Sequence, residues 1–288
     1  MEIVTGVSEL RHLRDGWRQA GAPVALVPTM GNLHAGHLAL VAEACRRASR
    51  VVVSIFVNPA QFGPEEDFQA YPRTFDEDTR QLTQYPVDVL FHPAPTEVYP
   101  DGWEHHAQVS VPGLSEILCG AFRPGHFTGV ATVVTKLFNL VQPDVAVFGE
   151  KDYQQWVVVR RLTQDLCLPV EVVGVATVRE PDGLARSSRN RYLDPAQRQR
   201  APVLYQILRR QAEVLRRGSR DFRAVEQAGL EALRTAGLRP EYLSVRRAGD
   251  LAVPQAADSE LVILAAAWLG RTRLIDNLRL RLALNPAG

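Results

Sequence analysis

The chain has 288 residues, 46% of them hydrophobic and 23% charged, and its formal net charge at pH 7 is +1. This length and composition are typical of a globular protein with one large or two ordinary domains, and the balanced charge argues against a nucleic-acid or membrane surface. The longest apolar run, 261–269, is shorter than the roughly 18 residues that a membrane-spanning helix needs. Three widely spaced cysteines and an N-terminus without a basic, then apolar, stretch favour a cytoplasmic protein with reduced thiols.

Strand-like and helix-like patterns alternate over the first part of the chain. In chain order, the spacing of apolar residues predicts helix 7–20, strand 24–28, helix 37–49, strand 50–58, helix 75–85, strand 87–93, helix 129–143, strand 144–150, helix 152–166 and strand 170–178. Such alternation predicts an α/β fold with a Rossmann-like, doubly wound parallel sheet. Ligands of such sheets bind at the carboxyl ends of the strands, so the residues directly after a strand are the first site candidates.

The pattern changes near residue 180, where the segment EPDGLARSSRNRYLDPAQR is polar and rich in turn-forming residues. The sequence after it predicts two helices, 196–216 and 221–236, and two strands, 241–248 and 260–270. We therefore expect a smaller C-terminal α+β domain, with the chain divided into residues 1–178 and 179–288.

Two histidines flank Gly36 in the segment HAGH (34–37), where a predicted strand gives way to a helix. Free N–H groups and the helix dipole attract anions at such a position, and a glycine lets a ligand approach the backbone closely. Two imidazoles there can donate to phosphate oxygens, which suits a reaction in which negative charge grows on a phosphoryl group. A metal pair or two structural histidines are the alternatives, and no nearby Cys, Asp or Glu completes a zinc site.

Only two of the 33 Lys and Arg residues are lysines, Lys136 and Lys151. A retained lysine suggests a place where a compact ammonium on a flexible stem is needed, because the planar guanidinium does not replace it. Lys151 lies in FGEKDYQQW at a predicted strand-to-helix junction, where it can neutralise phosphate charge. Chance retention is the alternative for both lysines.

The HAGH segment resembles the HxGH signature of the nucleotidyltransferase and class I aminoacyl-tRNA synthetase superfamily, which cleaves ATP between its α and β phosphates. Three further segments are similar to the pantothenate synthetase (pantoate–β-alanine ligase) family: SIFVNPAQFGPEEDFQAYPRT, GAFRPGHFTGVATVVTKLFNLVQPDVAVFGEKDYQQ and ARSSRNRYL. The close resemblance spans residues 20–195.

This resemblance implies an ATP-dependent ligase that joins (R)-pantoate to β-alanine, giving pantothenate, AMP and pyrophosphate through a pantoyl-adenylate intermediate. It also implies Mg²⁺ as the cofactor with ATP, a homodimer, and a C-terminal domain that acts as a lid over the reactive intermediate. Residues 1–178 would bind nucleotide and pantoate. Neither a nucleic acid nor a membrane is an expected partner.

The resemblance also implies the roles of individual residues. The catalytic residues would be His34, His37 and Lys151. The ATP-binding residues would be Met30, Gly31, His34, Gly36, His37, Gly149, Glu150, Lys151, Asp152, Val178, Arg186, Ser187, Ser188 and Arg189. The pantoate and β-alanine site would contain Gln61 and Gln155, with Asn58 nearby. The acidic residues near Mg²⁺ or its waters would be Glu77 and Asp78.

Several of these roles have alternatives. Asn58 precedes a proline and suits a turn cap, and Glu77 and Asp78 suit a solvated, acid-rich helix N-terminus. Arg186 stands where the family commonly has Met, so it either strengthens phosphate binding or faces solvent. His126 is interpreted as structural, near a subunit contact, and the pair 105–106 as exposed loop histidines.

Three other functions are compatible with parts of the sequence. A nucleotidyltransferase acting on a phosphorylated acceptor would share the HxGH signature, but it would need more cationic residues in NPAQF. A nucleotide sensor of the same fold would bind ATP without releasing pyrophosphate. RNA binding through the arginine-rich segment RRQAEVLRRGSR is offset by as many acidic residues elsewhere in the chain.

Overall fold

The computed structural model describes residues 1–64, 66 and 68–283. The chain forms two compact units by internal packing: Met1–Glu150 with Val158–Ala176, and Lys151–Val157 with Thr177–Gly288. These are units of packing, and the domain division at residues 178 and 179 stays a prediction.

The first unit contains a six-stranded sheet in which every pairing is parallel, in the order β1-β4-β3-β2-β5-β6. Its strands are β1 (Glu2–Val4), β2 (Val24–Thr29), β3 (Arg50–Ile55), β4 (Val89–Phe91), β5 (Val145–Gly149) and β6 (Glu171–Val175). The predicted α/β class with a parallel sheet is confirmed. The sequence analysis did not predict β1, a three-residue strand at the edge of the sheet.

The helices of the first unit connect these strands. They are α1 (Val7–Gln19), α2 (Ala35–Arg47), α3 (Phe75–Leu82), α4 (Pro95–Val98), α5 (Cys119–Phe122) and α6 (His126–Val141). Helix α7 (Tyr153–Asp165) is divided between the units. Its residues up to Val157 belong to the second unit, and those from Val158 belong to the first.

The central strands are apolar on both faces, as expected for a parallel sheet covered by helices. The first four residues of β2, Val24 to Val27, are fully buried. Val27 packs in one core cluster with Val41 and Ala44 of α2 and Val53 of β3. The rigid helix–sheet core therefore holds the turn between β2 and α2.

The strand order reverses direction at β2. Strand β3 pairs with β2 on one side, from Val24↔Arg50 to Thr29↔Ile55, and β5 pairs on the other, through Ala25↔Val145 and Leu26↔Ala146. The gap between the carboxyl ends of β2 and β5 is the topological switch point, where open α/β sheets bind ligands. The HAGH turn follows β2 at this edge of the sheet.

The second unit is built on a three-stranded antiparallel sheet in the order β7-β8-β9. Its strands are β7 (Arg239–Arg247), β8 (Glu260–Leu269) and β9 (Thr272–Arg281), and its remaining helices are α8 (Pro195–Arg200), α9 (Val203–Arg216) and α10 (Phe222–Thr235). Leucines of α9 and α10 pack against the sheet, among them Leu208 and Leu233 against Leu243 and Leu261. The smaller C-terminal α+β region is as predicted, but the sequence analysis did not predict β9.

Several predicted elements differ from the observed ones, among them helix 75–85, which ends at Leu82, and strand 170–178, which ends at Val175. The predicted helix 196–216 is divided into α8 and α9, because Pro202 stands between them as the N-cap of α9 and has no N–H to continue α8. The predicted strand 50–58 ends at Ile55. Within the described ranges, none of the helices combines the length and the apolar character that crossing a membrane requires.

Candidate active site

The turn between β2 and α2 places His34 and His37 side by side. His34 is the N-cap of α2, and its Nδ1 accepts the Gly36 N–H at 3.1 Å. The two imidazole rings are stacked with centroids 4.1 Å apart. Because Nδ1 of His34 is an acceptor, a neutral His34 carries its proton on Nε2.

Gly36 is required by this geometry. A Cβ at position 36 would lie 2.8 Å from Cε1 and 2.9 Å from Nδ1 of His34, closer than any side chain tolerates. The HxGH spacing therefore has a local physical reason. The first histidine folds over the first turn of its own helix, and only glycine leaves room for the ring.

Asp78 holds the segment that precedes His34. Its side chain is buried, and its two carboxylate oxygens accept the Asn32 N–H at 2.8 Å and the Leu33 N–H at 2.7 Å. The Thr74 hydroxyl donates to the same carboxylate at 3.1 Å. Gly31, with φ +78°, lies so close that a Cβ there would be 3.1 Å from Oδ2 of Asp78.

The position of Glu77 and Asp78 near Mg²⁺ or its waters stays a prediction, and the structure gives Asp78 a structural role. Both oxygens of Asp78 already accept backbone N–H groups, and Glu77 is exposed on the first turn of α3. Among the residues described, His, Cys, Asp and Glu side chains form no group of three that could hold a metal ion. The Mg²⁺ requirement itself stays a prediction.

Asn58 and Gln61 lie in the short 3₁₀ turn after β3, and both are buried. Asn58 caps this turn, because its Oδ1 accepts the Ala60 N–H at 3.3 Å. Its Nδ2 donates to Oε1 of Gln61 at 3.2 Å, and Nε2 of Gln61 donates to Sδ of Met30 at 3.0 Å. The amide of Gln61 is thus joined to the segment that leads into the HAGH turn.

A second set of contacts holds the backbone of Gln61. Nδ1 of His126 lies 2.8 Å from the Gln61 carbonyl oxygen, and Nε2 of His126 lies 3.0 Å from Nη1 of Arg123. Arg123 forms a two-bond ion pair with Glu66, at 2.6 and 2.5 Å. An arginine only donates, so Nε2 of His126 accepts and Nδ1 carries the proton that reaches Gln61.

Close helix packing completes this part of the site. A Cβ on Gly129 of α6 would lie 2.1 Å from the Ala60 carbonyl oxygen, so the helix backbone can approach the turn only at a glycine. We define the strand-end site as Met30, His34, His37, Asn58, Gln61 and Asp78, all of them in the first unit. Gly149 and Glu150, at the end of β5, also belong to the first unit.

Sequence reasoning missed Tyr99, Thr74 and Gly129, and it gave His126 a different structural role. Asn58 and Tyr99 are 41 positions apart, and Gln61 and His126 are 65 apart. The available signals were a glycine within an apolar helix pattern and a histidine in the segment RPGH (123–126), and neither identifies its partner.

The second unit contains the remaining predicted residues. Lys151 and Asp152 lie in the 3₁₀ turn before α7, with Nζ of Lys151 3.9 Å from Oδ2 of Asp152, and the Lys151 carbonyl accepts from Nδ2 of Asn277 at 3.0 Å. The buried Tyr153 anchors the same segment, because its hydroxyl donates to the Ala248 carbonyl at 2.9 Å. Gln155 is half-buried, two positions further along the helix.

We define the 178–192 loop as residues 178 to 192 of the second unit. Its backbone is pinned by the Arg186 N–H, which donates to the Val178 carbonyl at 2.9 Å. Ser187 caps the turn Ser188–Tyr192 by accepting the Arg189 N–H at 3.3 Å. Arg186 pairs with Glu180 at 2.9 Å, whereas the sequence left it either phosphate-facing or solvent-facing. Ser187, Ser188 and Arg189 are all partly exposed.

Comparisons with known proteins agree over nearly the whole chain. The family model "Pantoate-beta-alanine ligase" matches residues 2–279. Pantothenate synthetase of Methylococcus capsulatus is 55% identical over 282 residues, covering 98% of this chain and 99% of the relative. That of Thioalkalivibrio sulfidiphilus is 58% identical over 278 residues, covering 96% and 97%.

Solved structures agree as well. The crystal structure of pantothenate synthetase from Thermus thermophilus matches with a TM-score of 0.89 and 48% identity, covering 96% of this chain and 99% of that one. Pantoate-beta-alanine ligase from Francisella tularensis, complexed with beta-gamma ATP and beta-alanine, matches with a TM-score of 0.81 and 32% identity, covering 96% and 97%. The chain belongs to the pantoate–β-alanine ligase family.

Proposed function

We propose that the chain condenses (R)-pantoate with β-alanine at the cost of ATP, giving pantothenate, AMP and pyrophosphate through a pantoyl adenylate. The observation that carries this proposal is the strand-end site, where two stacked histidines at a helix N-terminus adjoin a buried amide at the switch point of a parallel sheet. Its relatives' names, and the ATP and β-alanine complex of the Francisella tularensis enzyme, support the same substrates.

In the first proposed step, a carboxylate oxygen of pantoate attacks the α-phosphorus of ATP, and the bond to the pyrophosphate oxygen breaks. Negative charge grows on the phosphoryl oxygens as this happens. The Nε2–H of His34, the imidazole of His37 and the N-terminus of α2 are suited to stabilise it.

In the second proposed step, the amine of β-alanine attacks the acyl carbon of the mixed anhydride, and AMP leaves with the electrons of the broken C–O bond. The amine loses a proton as the amide forms. No serine or cysteine nucleophile is needed, because the carboxylate of the substrate is itself the first nucleophile. The protein contributes position and charge stabilisation.

Gln61 is proposed to bind the pantoate. A neutral amide can donate to a carboxylate or hydroxyl oxygen without adding charge to a buried site. Its side chain is only 8% exposed, and its backbone and side chain are both held by neighbours. A preformed donor of this kind loses little freedom when the acid binds.

The second unit is proposed to contribute groups that bind ATP and the acid. The ammonium of Lys151, the hydroxyls of Ser187 and Ser188 and the guanidinium of Arg189 suit phosphate oxygens. Ser187 uses its oxygen as an acceptor in its own turn, so its proton remains available to a phosphate. Asp152 suits the ribose hydroxyls, and Gln155 suits the acid.

The proposal includes Mg²⁺ only with the phosphates of ATP. Mg²⁺ keeps several waters and takes phosphate oxygens readily, so it needs few protein ligands. No step is assigned to a protein-bound metal. The homodimer and the lid implied by the resemblance stay predictions, as does the cytoplasmic location expected from the cysteines and the N-terminal residues.

Isotope transfer tests the intermediate directly. We would incubate the chain with ATP, Mg²⁺, β-alanine and pantoate labelled with ¹⁸O in its carboxylate, and then measure the masses of AMP, pantothenate and the phosphate products. An adenylate transfers one labelled oxygen to AMP. Formation of ADP with label in inorganic phosphate, or pyrophosphate release that does not depend on pantoate, would contradict the proposal. ATP binding without turnover would favour the nucleotide sensor.

A further inference from the structure

Tyr99 starts a chain of hydrogen bonds that ends at the candidate acid-binding amide. Its ring is buried, and its hydroxyl donates to Oδ1 of Asn58 at 2.8 Å. Burial raises the pKa of Tyr99 well above its usual range, so the hydroxyl keeps its proton. Tyr99 is therefore a permanent donor to Asn58.

The orientation of the Asn58 amide follows from partners that have only one role each. The Ala60 N–H can only donate, and it lies 3.3 Å from Oδ1; the Gly129 carbonyl can only accept, and it lies 3.1 Å from Nδ2. These contacts and the Tyr99 hydroxyl place the oxygen of Asn58 on one side and its NH₂ on the other. Asn58 is 1% exposed, so it sets this polarity without access to solvent.

The orientation of the Asn58 amide in turn fixes that of the Gln61 amide. Nδ2 of Asn58 faces Oε1 of Gln61 at 3.2 Å, so the oxygen of Gln61 is already used within the protein. The NH₂ end of Gln61 lies on the opposite side, 3.0 Å from Sδ of Met30. A thioether is a weak acceptor, so the donor capacity of this NH₂ remains for a stronger acceptor.

Lys136 holds the start of this chain in place. Its ammonium donates to the Val98 carbonyl at 2.9 Å and lies 5.0 Å from the centre of the Tyr99 ring. A compact ammonium fits both contacts at once. This contact gives one of the two lysines of the chain a position that arginine would fill poorly.

We propose that Tyr99 and Asn58 are positioning residues that fix the amide of Gln61 with its NH₂ toward the acid substrate, so that Gln61 acts as a hydrogen-bond donor. This rests on the proposed role of Gln61 in binding pantoate. It predicts selectivity for an acid that offers an acceptor oxygen at this point. A substrate group that only donates would face the NH₂ of Gln61 and be rejected.

Steady-state kinetics of Asn58→Asp and Tyr99→Phe test the proposal. A carboxylate at position 58 accepts from Gln61 and turns its oxygen outward, so we expect the KM for pantoate to rise by about 100-fold. Tyr99→Phe removes one of the two donors to Asn58, and we expect a rise of about 5- to 10-fold. The KM for ATP should stay within about 2-fold in both variants, because the histidine turn is unchanged.

Thr163→Val is the matched control. It also removes a buried hydroxyl that donates to the protein, in this case to the Val159 carbonyl at 2.7 Å. We expect a similar loss of thermal stability and an unchanged KM for pantoate. An equal rise in Tyr99→Phe and Thr163→Val would mean a general packing effect and would overturn the positioning role.

Nuclear magnetic resonance measures the orientation of the Gln61 amide independently of enzyme activity. Met30 is one of only two methionines, so a methyl-labelled sample gives two methionine signals, and the Gln61 NH₂ signal is the one lost in Gln61→Glu. We expect a nuclear Overhauser effect between the Gln61 NH₂ and the Met30 methyl in the native chain, and a much weaker one in Asn58→Asp.

The two proposals fail in different ways. Absence of pantoate-dependent pyrophosphate from the native chain would overturn the proposed function, while the Gln61–Met30 signal would still decide the polarity. An active native chain whose variants keep the native KM for pantoate would overturn the positioning role alone. An Overhauser effect that is absent from the native chain would overturn it as well.

Discussion

The strand-end site and the 178–192 loop hold their polar side chains in different ways. In the first, Asn58, Gln61 and Asp78 are buried, and direct hydrogen bonds fix their side chains. In the second, Ser187 and Arg189 are partly exposed on a short 3₁₀ turn held by backbone contacts and an ion pair. The first arrangement fixes its polar side chains away from solvent, whereas Ser187 and Arg189 are partly open to solvent.

This difference predicts two kinds of mutational effect. Changes in the strand-end site should alter chemistry, acid binding or stability strongly, because buried polar groups lose partners that water cannot replace. Changes at the partly exposed Ser187, Ser188 and Arg189 of the 178–192 loop should alter ATP binding with little effect on stability, because solvent can satisfy exposed groups.

The largest effect is expected for His37→Ala. Removing a donor from the place where phosphoryl charge grows should lower kcat by about 10²- to 10³-fold, while the circular dichroism spectrum stays native. His105→Ala, in an exposed loop, is the control and should keep native activity. A fall in kcat of less than about tenfold for His37→Ala would contradict a role of His37 in the chemical step.

Asp78→Asn should have the next largest effect, on the stability of the fold. An amide in place of the carboxylate presents an NH₂ to one of the two backbone donors, Asn32 or Leu33, so one N–H loses its acceptor. We expect the free energy of unfolding in urea to fall by about 2–3 kcal/mol. The exposed Asp76→Asn on the same helix should change it by less than about 0.5 kcal/mol.

The same variant separates a structural role from a metal role. If Asp78 bound Mg²⁺, then Asp78→Asn would shift the Mg²⁺ dependence of activity and leave the unfolding free energy near the native value. That result would contradict the role in holding the turn.

Arg189→Ala tests the 178–192 loop. Loss of one charge-assisted contact to phosphate should raise the KM for ATP by about tenfold, and the unfolding free energy should stay within about 0.5 kcal/mol of native because the side chain is partly exposed. Arg191→Ala in the same turn is exposed and should leave the KM for ATP unchanged. A large stability loss in Arg189→Ala would mean that this loop is as rigidly built as the strand-end site.

The smallest effect is expected at Glu66. Burial raises the pKa of its carboxyl, but the hydrogen bonds and charge of Arg123 outweigh this, so the pKa lies below its ordinary value of 4.5. The pair therefore stabilises the fold above that pH, and the stabilisation is lost as the pH falls toward the folded pKa. We expect it to be about 1 kcal/mol at neutral pH, as for a half-buried pair.

Thermal unfolding of Glu66→Gln between pH 7 and pH 3 measures this contribution. The variant should be less stable than the native chain at pH 7, and the two should converge as the pH falls. A difference that grows on acidification would have the opposite sign and would contradict the lowered pKa.

Much of the fold was predictable because its causes are local. The strand–turn–helix at HAGH follows from an apolar run, a capping histidine and a glycine, all within residues 24 to 47. Strands β1 and β9 were missed for different reasons: β1 has three residues, and β9 (TRLIDNLRLR) mixes charged and apolar residues in a way that lacks a clear strand period.

The candidate site was predictable in part. The residues that follow strands β2 and β3 could be placed at one sheet edge from the alternation alone, and the resemblance named their roles. The structural role of Asp78 could not be predicted from the sequence, because an acidic residue in the first turn of a helix is usually exposed to solvent. Only the packed structure places it against the Asn32 and Leu33 N–H groups, 46 and 45 positions away.

The sequence by itself determined the α/β alternation, the strand–turn–helix at HAGH and the family. Tertiary structure alone decided which way the amide of Gln61 points and which donors occupy Asp78. The physical reason is that these hydrogen bonds join groups far apart in the chain. Their partners depend on strand order and on the approach of α6 at Gly129, which periodicity and residue type do not specify.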